Sequence, residues 1–392
     1  MKMVINAVSA KMGGAVTYIT NLLRHLPGPE SGYEFLVFLP PETAGKQSGM
    51  HKNVRLVPTT VGHRSWWRRL WWEQATLRRL LLVERANALF SSANFAMFRC
   101  PVRQVLLVRI PVYFSRTYSD VFESEQSLKM RMRLKFGRWL CCRSVRAADV
   151  VMTPTRAMME DLRRFVDVPT QKAVVNPYGV ALADASQPGP QRKATRLPQA
   201  AQLIVCLLYV SLYIEQKNLS TLLKALPLLN RDSTVKFLLR TTADPAWNGA
   251  AWTATHKREL ALACQPDVAQ CVEFIGPLPN EQVQDLYRRA DLFVFPSLCE
   301  SFGHPMVEAM AHGLPIVASD TPVNREICGE AALYFRPRDP KDLAEKVQRL
   351  YADEGLWQKC AESGFARTVG CFKWKDHVAR LLRLLAAAGE TL

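Results

Sequence analysis

The chain has 392 residues, 51 of them Lys or Arg against 35 Asp or Glu, for a formal net charge of +16, and 48% of its residues are apolar. A single ordinary core does not grow to this length, so two domains of roughly 150 to 200 residues are expected, and the apolar content excludes wholesale disorder. Ten cysteines without a C-x-x-C pair argue against a zinc site, and no run reaches the length of a membrane span.

The basic excess lies in the first half. Residues 1–184 hold 27 Lys or Arg against 13 Asp or Glu, whereas the rest hold 24 against 22. Such a half attracts polyanions: nucleic acid, an anionic membrane or phosphorylated substrates. Its apolar runs are MVINAV (3–8), EFLVFL (34–39), ALFSS (88–92), RQVLLVRI (103–110) and DVVMTP (149–154). After the first run Gly13 and Gly14 precede a helical pattern, and no signal-peptide core is present, so a cytosolic protein is expected. Residues 64–85, RSWWRRLWWEQATLRRLLLVER, place Trp67, Leu70, Trp71, Leu77 and Leu81 on helical spacing among six arginines. Residues 128–146 hold seven Lys or Arg and no acid, with Met132, Phe136 and Trp139 on one stripe and Arg131, Lys135 and Arg138 on another. Such helices either pack on the sheet or lie on an anionic membrane.

Residues 185–200, ASQPGPQRKATRLPQA, hold three prolines and no apolar periodicity, and read as a linker. The second half repeats the alternation with LIVCLLYV (203–210), TVKFLLR (234–240), CVEFIG (271–276), DLFVFP (291–296) and PIVAS (315–319). Apolar runs of this length, bounded by turn residues and separated by helix-length segments, describe parallel strands buried on both faces. The tail HVARLLRLLAAAG reads as an apolar-striped closing helix of the second domain. Several cysteines sit within such runs and act there as small hydrophobes, which suits a reducing compartment.

After DLFVFP the chain reads SLCESFGHPMVEAMAHG, a loop and then a helix stopped by Gly313. Pro305 suits the first helical position, Glu300 falls in the loop and Glu308 about one turn inside the helix. Backbone N–H groups at 305–307 are expected to meet an anion, and the carboxylate one turn on suits the hydroxyls of a polyol.

This string resembles the retaining glycosyltransferases of family 4, whose signature is P-S-x-x-E-x-F-G-x-P-x-x-E-A-M-A-x-G-x-P-V-V-A-S. It stands here as Pro296-Ser297, Glu300, Phe302-Gly303, Pro305, Glu308-Ala309-Met310-Ala311, Gly313, Pro315 and Ile316 to Ser319. AVSAKMGGAVTYITNLLRHL, ADVVMTPTRAMMEDL, VVNPYGV, VSLYIEQKNLSTLLKAL and CVEFIGPLPNEQVQDLYRRAD are similar to further family segments, so the resemblance covers most of the chain.

The resemblance implies an α/β chain of GT-B fold, two tandem Rossmann-like doubly wound domains facing across a cleft. These are an acceptor-side domain at 1–184, the linker at 185–200 and a nucleotide-sugar-binding domain at 201–392. It implies Glu300 as the catalytic carboxylate beside the donor sugar, Glu308 on the ribose and Lys217 on the diphosphate. Backbone at Phe302, Gly303, His304, Pro305 and Met306 would meet sugar and phosphates, Ile275 and Leu278 would wall the base, and Gly13 and Gly14 would let backbone approach the diphosphate.

Two departures stand out. Val210-Ser211-Leu212 occupies the place of a family arginine, with Arg240 as a candidate replacement, and Arg109-Ile110-Pro111 replaces a histidine-containing pair. An arginine does not act as a base at neutral pH but holds phosphate or an anionic acceptor well. No metal or cofactor is implied besides the donor, and the sequence has no D-x-D.

The expected reaction moves a hexosyl unit from a nucleotide sugar to a hydroxyl with retention. The acceptor would be lipid-linked or glycan, in surface polysaccharide or glycolipid synthesis. The enzyme would be cytoplasmic and peripheral on the anionic inner membrane. A soluble acceptor, or a non-catalytic nucleotide-binding relative, are the alternatives. Nucleic acid is not expected, because no zinc spacing, RNP-like strand or helix-turn-helix text accompanies the charge.

Overall fold

The computed structural model describes residues 1–123, 125–180, 203–231, 235–246 and 254–387, so the expected linker lies outside the described residues. The first sheet is built from β1 (Lys2–Asn6), β2 (Glu34–Leu39), β3 (Val54–Pro58), β4 (Ala88–Ser91), β5 (Arg103–Leu107), β6 (Val150–Thr153) and β7 (Ala173–Val175). Its order is β3-β2-β1-β4-β5-β6-β7, parallel throughout. The second comprises β8 (Leu203–Tyr209), β9 (Val235–Thr241), β10 (Val272–Phe274), β11 (Leu292–Phe295), β12 (Ile316–Ser319) and β13 (Ala332–Phe335). Its order is β10-β9-β8-β11-β12-β13, again parallel. Each sheet is doubly wound, and strand order reverses between β1 and β4 in one and between β8 and β11 in the other.

All ten apolar runs contain strands. The three strands that no run announced, β3, β7 and β13, are outer strands of their sheets. An outer strand has one open edge and less need of apolar cover; β3, VRLVP, is nowhere fully buried.

Two compact units emerge. One comprises Met1–Ser115, Ser127–Gly179 and Lys373–Leu392, the other Arg116–Gln126 and Val180–Phe372. The closing helix Trp374–Ala386 therefore belongs with the first unit, not with the second domain as its place in the sequence suggests. Its apolar stripe is real, with Val378, Leu381 and Leu385 buried, but a stripe does not name its partner. The partner is set by aromatic and polar contacts: Tyr178 stacks on Trp374 at 6.3 Å and 8°, and Arg103 Nε donates to the Leu384 carbonyl at 2.7 Å. Gly179 permits the approach, since a Cβ there would lie 2.2 Å from the Trp374 nitrogen. The excursion Arg116–Gln126 joins the second unit through Glu125, which accepts from Thr255 Oγ1 at 3.0 Å and Arg258 at 2.9 Å.

His377, buried to 1% exposure, fastens the closing helix. Its Nδ1 lies 3.0 Å from the Pro177 carbonyl and so carries the hydrogen, leaving Nε2 to accept from the Tyr18 hydroxyl at 3.0 Å. Both bonds suit the neutral ring, and burial holds its pKa down to about 4, from 6.5. The unfolded chain takes up a proton below 6.5 that the folded chain refuses until about 4, so stability falls as pH drops through that window, by up to about 3 kcal/mol. Urea unfolding at neutral pH and near pH 4.5 checks this: the loss on acidification should shrink in His377→Gln. Equal losses in both proteins would remove His377 from the account.

Candidate functional site

The reversal between β8 and β11 is where a doubly wound sheet leaves an uncovered crevice at its carboxyl edge. β8 ends at Tyr209, and the chain crosses to a single turn, Glu215–Lys217, before the helix Leu219–Leu229. Asn218 joins turn and helix with φ +54°, a left-handed conformation that asparagine tolerates better than most residues. Its Nδ2 donates to the Pro296 carbonyl at 3.0 Å, and its Oδ1 accepts from Thr221 Oγ1 at 2.8 Å. The Leu298 amide donates to the Gln216 carbonyl at 2.9 Å. The loops after β8 and β11 are thereby stapled together.

The staples bring Lys217 and Glu300 into direct contact: Nζ donates to Oε1, with the two side chains only 17% and 10% exposed. Lys217 also lies 5.7 Å from the Phe295 ring centroid, and its carbonyl accepts from the Tyr209 hydroxyl at 2.9 Å. The two residues expected at the diphosphate and the sugar, 83 positions apart in sequence, thus form one ion pair at the crevice.

The loop continues through Phe302, a buried side chain packed edge-on against Phe372 at 5.6 Å, to Gly303 at φ +79°. Gly303 opens the helix His304–Ala311, with Pro305 in its first turn. Here the expected amide set needs correction. Pro305 has no N–H, and Met306 donates its own to the Gly303 carbonyl at 3.0 Å, so neither meets an anion by its backbone hydrogen. The Met306 side chain is buried.

Glu308, one turn into the helix, accepts from the Tyr287 hydroxyl on Oε2 at 2.9 Å. Its Oε1 has no protein donor among the described residues. Protein walls the carboxyl closely enough that burial pushes its pKa up to about 7, against the opposing hydrogen bond from Tyr287. Tyr287 is itself buried, and His312 stacks on it at 5.3 Å while bonding through Nδ1 to the Glu308 carbonyl at 2.8 Å. Tyr287 is the tyrosine of QDLYRRAD, a residue to which the sequence pattern assigns no role.

The remaining residues fall elsewhere. Ile275 and Leu278 are half-buried beyond β10, on either side of Gly276. Ser211 fastens the end of β8 to β9: its amide donates to Thr242 Oγ1 at 2.9 Å and its hydroxyl to the Leu212 carbonyl at 2.9 Å. Arg240 pairs with Glu273, its neighbour in the β9–β10 register, at 2.7 Å. In the first unit Gly13, at φ +56°, precedes the helix Gly14–Arg24 beyond β1. Arg109, beyond β5, donates its backbone N–H to Asn94 Oδ1 at 2.8 Å and holds its guanidinium 5.4 Å from the Tyr18 ring centroid. Among the described residues no three His, Cys, Asp or Glu side chains gather as a metal ion requires.

One supporting residue escaped the sequence. Glu259, 1% exposed in the helix Ala254–Ala263, accepts from the Tyr213 hydroxyl and, at 2.8 Å, from the Ser220 amide. It holds both ends of the segment that carries Lys217, and burial raises its pKa. No local signal marks a carboxylate 39 residues from its backbone partner.

Comparison with known proteins agrees with this fold. The family described as "Glycosyl transferase 4-like domain" matches residues 13–179, and that described as "Glycosyl transferases group 1" matches residues 204–353. O-antigen chain mannosyltransferase B of Escherichia coli is 25% identical over 238 residues, 59% of this chain and 59% of that protein. The chain spans less than two thirds of the length of the curated relatives it matches. Sucrose-phosphate synthase of Thermosynechococcus elongatus superposes with a TM-score of 0.74 at 19% identity, covering 98% of each chain. Anabaena HepE in complex with UDP-glucose does so with a TM-score of 0.66 at 17% identity, covering 97% of this chain and 99% of that one. At such identities the solved structures establish the fold, which is GT-B.

Removing Glu259 tests its part in the site. Glu259→Ala leaves the Ser220 amide and the Tyr213 hydroxyl without their acceptor, and should lower the unfolding free energy by about 1–3 kcal/mol, read as a lower urea midpoint at unchanged slope. An unmoved midpoint would mean that Glu259 does not anchor the Lys217 segment.

Proposed function

Because the chain belongs to the family 4 type of glycosyltransferases with the GT-B fold, we propose that it transfers a hexosyl unit from a nucleotide sugar to a hydroxyl acceptor, with retention at the anomeric carbon. The observation that carries this reading is the Lys217–Glu300 pair at the β8–β11 reversal, with Glu308 on the helix that follows the Glu300 loop. In the reaction the bond from the anomeric carbon to the diphosphate breaks, the diphosphate leaves with the bonding electrons, and the acceptor oxygen bonds to that carbon and passes its proton to the departing diphosphate. Lys217 supplies the cation that a departing diphosphate needs, an ammonium acting with no metal or other cofactor. Glu300 lies beside the sugar. Glu308 receives ribose hydroxyls on the oxygen that no protein donor meets, and Ile275 and Leu278 wall the base. The backbone of Phe302 to His304 borders sugar and phosphates, Gly13 and Gly14 give backbone that a diphosphate can approach closely, and Arg109 serves an anionic acceptor.

A nucleotide sugar as donor is supported by the complex of HepE with UDP-glucose, and a glycan acceptor by the similarity to the O-antigen chain mannosyltransferase of Escherichia coli. The basic first half supports a lipid-linked acceptor on an anionic membrane, with the enzyme peripheral and on the cytoplasmic side. Ten cysteines without a disulfide suit that compartment. A second reading, a nucleotide binder without transfer, draws on the engagement of Arg240 with Glu273, which leaves the place of the family arginine unfilled.

A thermal-shift screen across UDP-, GDP- and dTDP-sugars should find one donor class that raises the melting temperature. Lys217→Ala should weaken that donor about ten- to a hundredfold, the loss of a charge-assisted contact. Glu300→Gln should still bind it while turnover falls about a hundredfold. Binding without turnover in the intact chain would favour the second reading, and no shift with any donor would defeat both.

The ionisation of Glu308 provides a separate check. The carboxylate accepts two hydroxyl hydrogen bonds and the neutral acid fewer, so donor affinity should tighten as pH rises through about 7. Titration of donor binding against pH should show this rise in the parent chain and a flat profile in Glu308→Gln. A parent profile already flat across that range would remove Glu308 from the ribose.

A further inference from the structure

Two basic helical segments of the first unit bring their aromatic residues together at the surface. Trp67 and Trp71 are 60% and 67% exposed, and on the helix Leu128–Ala147 Met132 and Trp139 are 64% and 52% exposed. The rings form one connected patch: Trp66 lies 3.6 Å from Trp67 and 4.9 Å from Phe136, and Phe136 lies 5.4 Å from Trp139, centroid to centroid. The opposite face of the long helix is core, with Leu134, Leu140, Cys141 and Val145 buried. Gly137 lets Tyr113 approach that inner face, since a Cβ there would lie 2.6 Å from the Tyr113 hydroxyl. The helix is thus seated by one face and offers the other.

Cations surround the patch. Lys129, Arg131, Arg133, Lys135 and Arg143 are exposed on the long helix, which carries no acid, and Arg64 and Arg68 are exposed beside the tryptophans. Arg143 lies 5.3 Å from the Trp139 ring centroid. Among the described residues no helix is long and apolar enough to cross a membrane.

We propose that this patch is the docking face for an anionic membrane surface, with Trp66, Trp67, Trp71, Met132, Phe136 and Trp139 entering the headgroup boundary and the flanking Lys and Arg meeting lipid phosphates. Tryptophan suits that depth because its ring is apolar and its N–H polar, and each nearby cation adds to the attraction of an anionic leaflet. Single-stranded nucleic acid fits less well: its bases stack on open ring faces, whereas these rings pack on one another. A second copy of the chain docked face to face would bring like charges together. The assignment deepens the proposal of a lipid-linked acceptor and takes its purpose from it, but vesicle binding is read without donor or acceptor, so the two fail separately.

The test is flotation of the full chain with vesicles of phosphatidylcholine containing roughly one third phosphatidylglycerol, and with phosphatidylcholine alone. The chain should float with the anionic vesicles, less so as salt rises, and little with the neutral ones. Trp67→Ser combined with Trp71→Ser and Trp139→Ser should reduce flotation about tenfold or more, with the urea midpoint and the donor thermal shift unchanged. The proposal is overturned by a parent chain that does not float, or by flotation that the triple variant leaves intact. It is equally overturned if single-stranded RNA binds the patch in place of vesicles, or if sedimentation shows a dimer that the triple variant dissolves.

Discussion

Where β8 and β11 lie side by side, the chain leaves one strand for one face of the sheet and the other strand for the opposite face. Nothing in the winding itself holds the two departing loops together. That join is made by hydrogen bonds between backbone and side chain: Asn218 to the Pro296 carbonyl, and the Leu298 amide to the Gln216 carbonyl. For an ammonium and a carboxylate as little exposed as those of Lys217 and Glu300, the cost of taking both charges out of water offsets much of their attraction, so the pair does not by itself organise two loops. Lys217 and Glu300 meet because the loops are already joined, and their low exposure follows from the same join. The pair is therefore a product of the fold at the reversal rather than its cause.

Two carboxyls, the buried Glu259 and the half-buried Glu308, are held in different ways, and the difference separates scaffold from site. Burial raises both Glu259 and Glu308. Glu259 has each oxygen matched to a protein donor, Tyr213 on one and the Ser220 amide on the other, so its bonding is used internally. Glu308 is met by protein on one oxygen, through a tyrosine that is itself fixed by burial and by the stacked ring of His312. A desolvated carboxyl with one oxygen left to outside donors is costly to keep charged and gains by meeting hydroxyl groups.

Much of this could be read in advance, and the limits were physical. Strands buried on both faces announce themselves as apolar runs, and all ten were legible; β3, β7 and β13, at sheet edges, need no such run. The motif from Pro296 to Ser319 placed Glu300 and Glu308 correctly on loop and helix, because Gly303, Pro305 and Gly313 dictate their own backbone positions. That Pro305 has no amide hydrogen to offer follows from the sequence alone, whereas the engagement of the Met306 amide by the Gly303 carbonyl does not. The closing helix was legible as a helix, but its seat against Tyr18, Tyr178 and Pro177 depends on contacts roughly 200 or more residues away in sequence. Glu259 was illegible for the same reason.

The tryptophan segment is the most instructive departure. On even helical spacing Trp67, Leu70, Trp71, Leu77 and Leu81 share a face, and all would be core or all surface. The backbone instead makes a wide turn over Trp72–Thr76, which accommodates one extra residue. One residue rotates the helix by about 100°, so the stripe before the turn and the stripe after it face different ways. Leu77 and Leu81 remain on the core with Trp72 and the buried Glu73, while Trp67 and Trp71 turn outward. Glu73, buried in that turn, receives Asn6 Nδ2 at 3.1 Å and Arg69 Nε at 3.0 Å, bonds that satisfy one of its oxygens inside the unit. The outward turn of Trp67 and Trp71 thus follows from the extra residue accommodated within a single turn of helix.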